Sequence, residues 1–212
     1  MAGATGLVGR ELLALLLADT DYAAVHCVGR RAPAQTHRKL VSHALNALTP
    51  QALAALALPA LTDVYIALGT TIKVAGSQQA FKAIDLDAVV AVAGVGRSFH
   101  AMNLGVVSAM GANAGSRVFY NRIKGEMEAA VSNAGYASVT IARPSFIAGD
   151  RASLHQANRT GEGVALAVAR WLAPITPVNY RAVDAASVAL ALHREVKRGA
   201  PGNRVLLSGA LH

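Results

Sequence analysis

The sequence predicts an α/β fold in which helices cover both faces of an open, doubly wound parallel sheet. Short apolar runs rich in β-branched residues alternate with longer helical segments, as in successive β-α-β units. The apolar runs are continuous rather than alternating, which is typical of strands buried on both faces. A chain of 212 residues, 53% of them hydrophobic and 15% charged, can bury one large core. We therefore expect a single domain over residues 1–212.

The predicted elements alternate along the chain. Strands are predicted at Ala24–Gly29, Asp63–Leu68, Asn103–Ser108, Ser138–Ala142 and Arg204–Ser208. Helices are predicted at Leu7–Leu17, Ser77–Ala93, Tyr120–Ala134, Gly163–Leu172 and Asp184–Lys197. The expected helix caps are Ser77, Ser116 and Asp184 at N-termini and Gly135 at a C-terminus. The polar stretch from 149 to 163 is predicted to be a loop.

The composition excludes several classes of protein. Disordered chains are poor in hydrophobic residues and highly charged, the reverse of this one. Cys27 is the only cysteine, so no disulfide framework forms and a reducing, cytoplasmic setting is expected. We find neither a signal-peptide pattern nor an uninterrupted apolar run of about 18 residues, so no transmembrane segment is predicted.

The net charge of +8 predicts an anionic partner. An acid-free stretch between Asp21 and Asp63 holds four cations, namely Arg30, Arg31, Arg38 and Lys39. Nucleic acid is the weaker interpretation, because aromatic residues make up only 5% of the chain and no dense basic run is present. A small phosphorylated ligand is favoured.

A glycine-rich loop opens the chain. Gly3, Gly6 and Gly9 form a GxxGxxG pattern that leads directly into the first predicted helix. Glycines permit a tight turn and a close approach of backbone N–H groups to a pyrophosphate, and the helix N-terminus adds a partial positive charge. The alternative is an ordinary turn, because glycine spacing alone is a weak signal.

Arg30 and Arg31 follow the next predicted strand, where this architecture contacts the adenosine ribose. An NAD site places an acidic residue there, whereas two arginines suit the 2′-phosphate of NADP. We therefore expect a preference for NADP(H), with NAD(H) kept as the alternative cofactor and a solvated loop as the alternative structure.

The strand that should precede the glycine loop is reduced to Met1 and Ala2. Without a central strand, its two neighbours would leave backbone groups unpaired, at about 1–3 kcal/mol each. The sequence-based expectation is that about five to eight strand residues lie upstream of Met1.

Tyr120 and Lys124 form a YxxxK pattern that places both side chains on one helix face. A nearby ammonium favours the phenolate, so Tyr120 is a candidate acid/base for a carbonyl or alcohol. Ser108 ends a predicted strand, where its hydroxyl can hold a substrate oxygen. The alternative is a surface Tyr and Lys on an amphipathic helix. The histidines show no metal-ligand spacing, so no metal site is predicted.

Five segments in order resemble the atypical short-chain dehydrogenases/reductases. They are residues 2–9, Leu68-Gly69-Thr70-Thr71, residues 108–112, residues 120–126 and Ala142-Arg143-Pro144-Ser145. The chain is most similar to the Tat-interacting oxidoreductase subgroup, near the NmrA-like and epimerase/dehydratase branches. The resemblance runs from Gly3 to Ser208.

The resemblance implies a Rossmann fold and a set of site residues. Pyrophosphate contacts are implied for Gly3, Thr5, Gly6, Leu7, Val8 and Gly9. Leu68, Gly69 and Thr70 are implied to line the adenine and ribose, and Pro144, Ser145 and Phe146 to flank the nicotinamide. Ser108, Tyr120 and Lys124 match the catalytic trio of the family, with Lys124 also on the ribose.

The predicted function is an NADP(H)-dependent oxidoreductase that acts on a small carbonyl or alcohol by hydride transfer. Residues 144–212 would form a small substrate region. Two alternatives stay open, a non-catalytic NADP(H) sensor and an epimerase/dehydratase-like enzyme. The substrate is not predicted, and both a monomer and a homodimer are compatible with the sequence.

Overall fold

The computed structural model describes residues 1–148 and 182–211, and every structural statement below concerns these residues. The strands are β1 (Val25–Gly29), β2 (Leu40–Ala44), β3 (Asp63–Ile66), β4 (Asn103–Val107), β5 (Ser138–Arg143), β6 (Ile147–Ala148), β7 (Val183–Asp184) and β8 (Gly202–Leu207). The helices are α1 (Leu7–Ala18), α2 (Pro50–Ala54), α3 (Ile72–Ala75), α4 (Gln78–Lys82), α5 (Ala88–Ser98), α6 (Phe119–Ser132) and α7 (Ala185–Arg198). A π-helical segment, Ala83–Asp87, joins α4 to α5, and a 3₁₀ turn, Ser208–Ala210, follows β8.

The main sheet is parallel throughout, as predicted. Strands β3, β4, β5 and β8 pair in that order, and β1 pairs with β2. Ala2 lies between the two groups, with parallel bridges to Val28 of β1 and Ile66 of β3. The resulting strand order is β2-β1-Ala2-β3-β4-β5-β8. From Ala2 the chain first adds β1 and β2 on one side and then β3, β4, β5 and β8 on the other, as in a doubly wound sheet.

Helices cover both faces of this sheet, which explains the continuous apolar runs of the strands. On one face α1 and α7 pack together over Tyr65 and Leu206. On the other face α2, α5 and α6 cover Ile66 and Leu104. Among the described helices, none is both long and apolar enough to cross a membrane. The Rossmann-type α/β fold is therefore confirmed.

The first strand of the sheet is represented by Met1 and Ala2, which hydrogen-bond to the neighbouring strands on both sides. The Ala2 N–H donates to the Tyr65 carbonyl at 2.8 Å, and the Ala2 carbonyl accepts from the Ala67 N–H at 2.9 Å. On the other side the Val28 N–H donates to the Met1 carbonyl at 2.9 Å. Met1 and Ala2 thereby occupy the central position that the fold assigns to its first strand.

Several predicted boundaries are wrong. The helix predicted at Ser77–Ala93 is divided by the π-helical segment, and α5 continues to Ser98. Ser116 is not an N-cap, because α6 begins at Phe119, and the C-cap of α6 is Asn133 rather than Gly135. Ser77 is confirmed as a cap, since its hydroxyl accepts from the Ala80 N–H at 3.1 Å. The predicted loop from 149 to 163 and the predicted helix Gly163–Leu172 lie outside the described residues.

Candidate functional site

All main-sheet strands end at one edge, called here the carboxyl edge, where ligands bind in open α/β sheets. The predicted site segments meet there because each follows a strand. They are residues 3–9 after Ala2, Arg30 and Arg31 after β1, residues 68–70 after β3, Ser108 after β4 and residues 144–146 after β5.

The three loop glycines have different reasons to be glycine. Gly3 has a φ of +86°, and a Cβ there would lie 2.4 Å from the Ala67 carbonyl oxygen. A Cβ at Gly9 would lie 1.9 Å from the Gly3 carbonyl oxygen, so only glycine lets α1 pack against the loop. A Cβ at Gly6 would meet its first neighbour, the Gly3 carbonyl oxygen, at 3.5 Å. A Cβ at Gly6 would therefore make only ordinary van der Waals contacts, so packing among the described residues does not require glycine there.

The other residues of the glycine loop differ in how deeply they are buried. Gly6 precedes α1 as its N-cap, and the N–H groups of the first helical turn start there, at Leu7. Thr5 and Leu7 are partly buried. The Val8 side chain is in the core, 5% exposed, so its contribution to a phosphate site is restricted to its backbone.

The four cations between Asp21 and Asp63 lie at opposite ends of the strands. Arg30 and Arg31 are exposed at the carboxyl edge. Arg38 and Lys39 precede β2 and lie at the opposite edge, because β2 runs parallel to β1. Lys39 Nζ donates there to the Asp19 carbonyl at 2.6 Å. Of the four cations between Asp21 and Asp63, two therefore lie at the carboxyl edge, Arg30 and Arg31, and two lie at the opposite edge.

Ser108 occupies the end of β4. Its N–H donates to the Ala142 carbonyl at 2.8 Å, which fixes the residue to β5. Its side chain is buried, and Ser108 Oγ has no hydrogen-bond partner among the described residues. Since a buried hydroxyl without a partner is costly, this atom has unused capacity for a ligand.

The loop after β4 packs against α6 and holds the first turn of this helix in position. A Cβ at Gly125 would lie 2.1 Å from the Ala114 backbone nitrogen, so this glycine permits close packing. The Asn113 N–H donates to the Asn121 carbonyl at 2.9 Å. Tyr120 lies in the first turn of α6, partly buried, with its ring centroid 5.4 Å from that of Phe81.

Lys124, one helical turn after Tyr120, is 3% exposed and forms a buried ion pair. Its Nζ lies 2.7 Å from Asp85 Oδ1. Asp85 is fully buried, and its Oδ2 accepts from the Thr70 N–H at 2.9 Å. The structure thus joins Lys124 to the predicted adenine and ribose turn through Asp85. Sequence reasoning missed this residue, although an acid within an apolar helical stretch is a signal that could have identified it.

The residues after β5 form the other wall of the site. The Pro144 carbonyl accepts from the Met110 N–H at 3.0 Å, and the Ser145 N–H donates to Ser208 Oγ at 2.7 Å. Phe146 is 37% exposed. Most of the predicted substrate region, residues 149–181, lies outside the described residues.

Cys27 is a packing residue rather than a part of the site. It is 3% exposed within the core, and burial raises the pKa of its thiol. No group of three metal-ligating side chains occurs within residues 1–148 and 182–211.

Comparison with known sequences finds relatives over most of the chain. The chain is 33% identical over 174 residues to a protein of Chaetomium globosum named Protein FMP52, mitochondrial, which covers 80% of this chain and 74% of that protein. It is 28% identical to the protein of the same name in Candida albicans, with the same coverage. These names contradict the expected cytoplasmic setting, so that prediction is wrong. No protein-family model matches.

Comparison with solved structures finds the same fold in several proteins, two of them in complex with a nicotinamide dinucleotide. MoeE5 in complex with UDP-glucose and NAD has a TM-score of 0.67 at 15% identity and covers 97% of this chain and 73% of its own. The ADP-L-glycero-D-manno-heptose-6-epimerase of Helicobacter pylori has a TM-score of 0.69 at 15% identity, covering 97% and 75%. RMD from Pseudomonas aeruginosa, complexed with NADPH, has a TM-score of 0.60 at 17% identity, covering 98% and 77%.

Proposed function

Because the chain belongs to the FMP52 family and has a Rossmann-type fold, we propose that it is an NADP(H)-dependent oxidoreductase that interconverts a small carbonyl compound and its alcohol. The names of its relatives support a mitochondrial location. Membership of the Tat-interacting subgroup and formation of a homodimer stay predictions.

The observation that carries this proposal is Ser108 Oγ, a buried hydroxyl at the carboxyl edge that has no hydrogen-bond partner within residues 1–148 and 182–211. A hydroxyl at this place can donate to a substrate carbonyl oxygen, and bonding removes the cost of its burial. Two features support a bound pyrophosphate. Internal packing does not require glycine at Gly6, and the first turn of α1 has backbone N–H groups that can bind an anion. The resemblance implies further dinucleotide contacts at Gly3, Thr5, Gly6, Leu7, Val8, Gly9, Leu68, Gly69, Thr70, Pro144, Ser145 and Phe146.

A nicotinamide dinucleotide supplies hydride chemistry when it is bound. Tyr120 would transfer the proton to or from the substrate oxygen, while Ser108 orients that oxygen. Lys124 would bind the nicotinamide ribose. Its ammonium, which lies 2.7 Å from Asp85 Oδ1, has three N–H donors with which it would bond to Asp85 and to ribose hydroxyls.

The decisive experiment combines nucleotide binding with turnover of a carbonyl panel. We expect NADPH to bind and to be oxidised with at least one substrate, and Tyr120→Phe to lower kcat by about 100-fold or more, because the proton donor is lost. The NADPH Kd of the variant should stay within about twofold of the wild-type value.

Tyr136→Phe is the matched control, since the Tyr136 hydroxyl donates to the Ala93 carbonyl at 2.6 Å, away from the carboxyl edge. It should leave turnover unchanged. NADPH binding without turnover of any substrate would favour the sensor function, and full activity in Tyr120→Phe would contradict the assigned proton transfer.

A further inference from the structure

We propose that Asp85 is a positioning residue of the nucleotide site, which holds Lys124 and the backbone of Thr70 in fixed relative positions. This inference rests on the proposed function, because both partners of Asp85 are expected to contact the dinucleotide. The two partners belong to different elements: Lys124 to α6, and Thr70 to the turn after β3.

One carboxylate serves both elements. Asp85 Oδ1 lies 2.7 Å from Lys124 Nζ, and Asp85 Oδ2 accepts from the Thr70 N–H at 2.9 Å. Oδ1 also lies 3.7 Å from where a Cβ of Gly69 would be. Any shift of Asp85 would therefore move the ammonium and the turn together.

The helix around Asp85 is built to bring the carboxylate into the interior. Asp85 lies in the π-helical segment Ala83–Asp87, between α4 and α5. A π-helical turn widens the helix locally, and such turns occur frequently at functional sites. Asp85 is buried there while Asp87, two residues later, is exposed.

Stability alone does not account for the ion pair of Asp85 and Lys124. Removing two charges from water carries a large desolvation penalty, and a buried ion pair is weak evidence for stability. Asp85 lies in the same candidate site as Ser108, whose buried Oγ has no hydrogen-bond partner among the described residues. This grouping of costly buried polar groups at one site supports a role for the ion pair in ligand binding.

A double-mutant cycle with NADPH as the probe tests this inference without requiring the substrate. Asp85→Asn keeps the size of the side chain and an acceptor for Thr70 but removes the charge opposite Lys124. We expect it to raise the NADPH Kd about tenfold, the usual effect of losing one bond to a charged group. In a Lys124→Gln background the same substitution should change Kd by less than about twofold, because its effect passes through Lys124.

Asp63→Asn is the matched control. Asp63 begins β3 at the opposite edge, where its carboxylate accepts from Tyr22 Oη at 2.5 Å and from Asn103 Nδ2 at 2.7 Å. This variant should lower the Tm without changing the NADPH Kd. The comparison separates loss of a carboxylate network from loss of nucleotide positioning.

A wild-type Kd in folded Asp85→Asn would overturn the inference, as would an equal effect in the Lys124→Gln background. Absence of NADPH and NADH binding in the wild-type protein would instead refute the proposed function. If Asp85→Asn does not fold, amide hydrogen exchange of the wild-type protein decides. Slow exchange at Thr70 that slows further with NADPH supports the inference, and exchange as fast as in an exposed loop overturns it.

Discussion

We expect the choice between NADP and NAD to depend on Arg30 and Arg31, because these exposed cations directly follow β1. A guanidinium can form charge-assisted bonds to a 2′-phosphate that NADH lacks. We expect NADPH to bind at least about tenfold more tightly than NADH, and Arg30→Ala/Arg31→Ala to remove most of this preference. Titration of both nucleotides by fluorescence measures it.

Arg38→Ala is the control for long-range charge, since Arg38 is also exposed but precedes β2 at the other edge. It should leave the ratio of the two Kd values unchanged. Equal affinity of the wild-type protein for NADPH and NADH would refute the assigned role of the two arginines.

The sequence predicts Ser108, Tyr120 and Lys124 as site residues because their signals are local: a strand end, and a spacing of four residues on one helix. No sequence spacing links Asp85 to its partners. Its partners Thr70 and Lys124 are 15 residues before it and 39 residues after it, and only the packing of α6 on the π-helical segment brings them together. Residues that act through a distant partner are therefore the ones that spacing cannot predict.

At the scale of elements, two glycines of the loop before α1 are expected to serve different purposes: Gly9 the folding of the protein, and Gly6 the binding of NADPH. A Cβ at Gly9 would lie 1.9 Å from Gly3 O, whereas one at Gly6 would lie 3.5 Å from the same atom. Gly9→Ala should therefore destabilise the fold by at least about 1–3 kcal/mol, which lowers the Tm by several degrees. Gly6→Ala should melt close to the wild type, since the φ of Gly6 is −83°, but should bind NADPH at least about tenfold more weakly.

Thermal melts and NADPH titrations of the two variants form one experiment, in which each is the control for the other. Wild-type NADPH affinity in Gly6→Ala would show that no pyrophosphate approaches this loop. A wild-type Tm in Gly9→Ala would contradict the close packing of α1 on Gly3.

Burial explains why three central strands are predictable, whereas the outermost strand β8 is predicted although five of its six residues are exposed. Strands β3, β4 and β5 have nearly continuous buried residues, so their apolar runs are visible in the sequence. The sequence analysis does not predict strand β2, which is an outermost strand of the sheet and has no buried residue among its five. The π-helical segment was missed because its composition matches the helices on both sides, and the wider turn arises from tertiary contacts with α6.

At the scale of the whole molecule, α1 and α7 join distant parts of the chain through Asp19. This carboxylate follows α1 and is contacted by two side chains of α7, the imidazole of His193 at 3.0 Å and the ammonium of Lys197 at 2.7 Å. A carboxylate at a helix C-terminus opposes the helix dipole, so it needs such partners. The hydrogen bond from Lys197, with smaller contributions from the Asp21 N–H and His193, holds the pKa of Asp19 below its ordinary value of 3.8.

The lowered pKa of Asp19 predicts a loss of stability in acid. Above the ordinary value of 3.8, Asp19 is charged in both the folded and the unfolded chain, and its full stabilisation is present. As the pH falls through the folded pKa, the unfolded chain has already bound its proton and the contribution of Asp19 is lost. Asp19→Asn should therefore lower the Tm by a few degrees near neutral pH, and the difference from the wild type should shrink below about pH 4.

Melting curves of both proteins over this pH range, repeated at high salt, test the prediction. Salt should reduce the difference, because Lys197 is partly exposed and its pair with Asp19 is screened. Asp21→Asn is the control: its carboxylate contacts the same Lys197 but is 72% exposed, so its loss should have little effect at any pH. A difference between Asp19→Asn and the wild type that stays constant down to pH 3 would mean that Asp19 contributes through packing, since only its ionised form gains from Lys197 and His193.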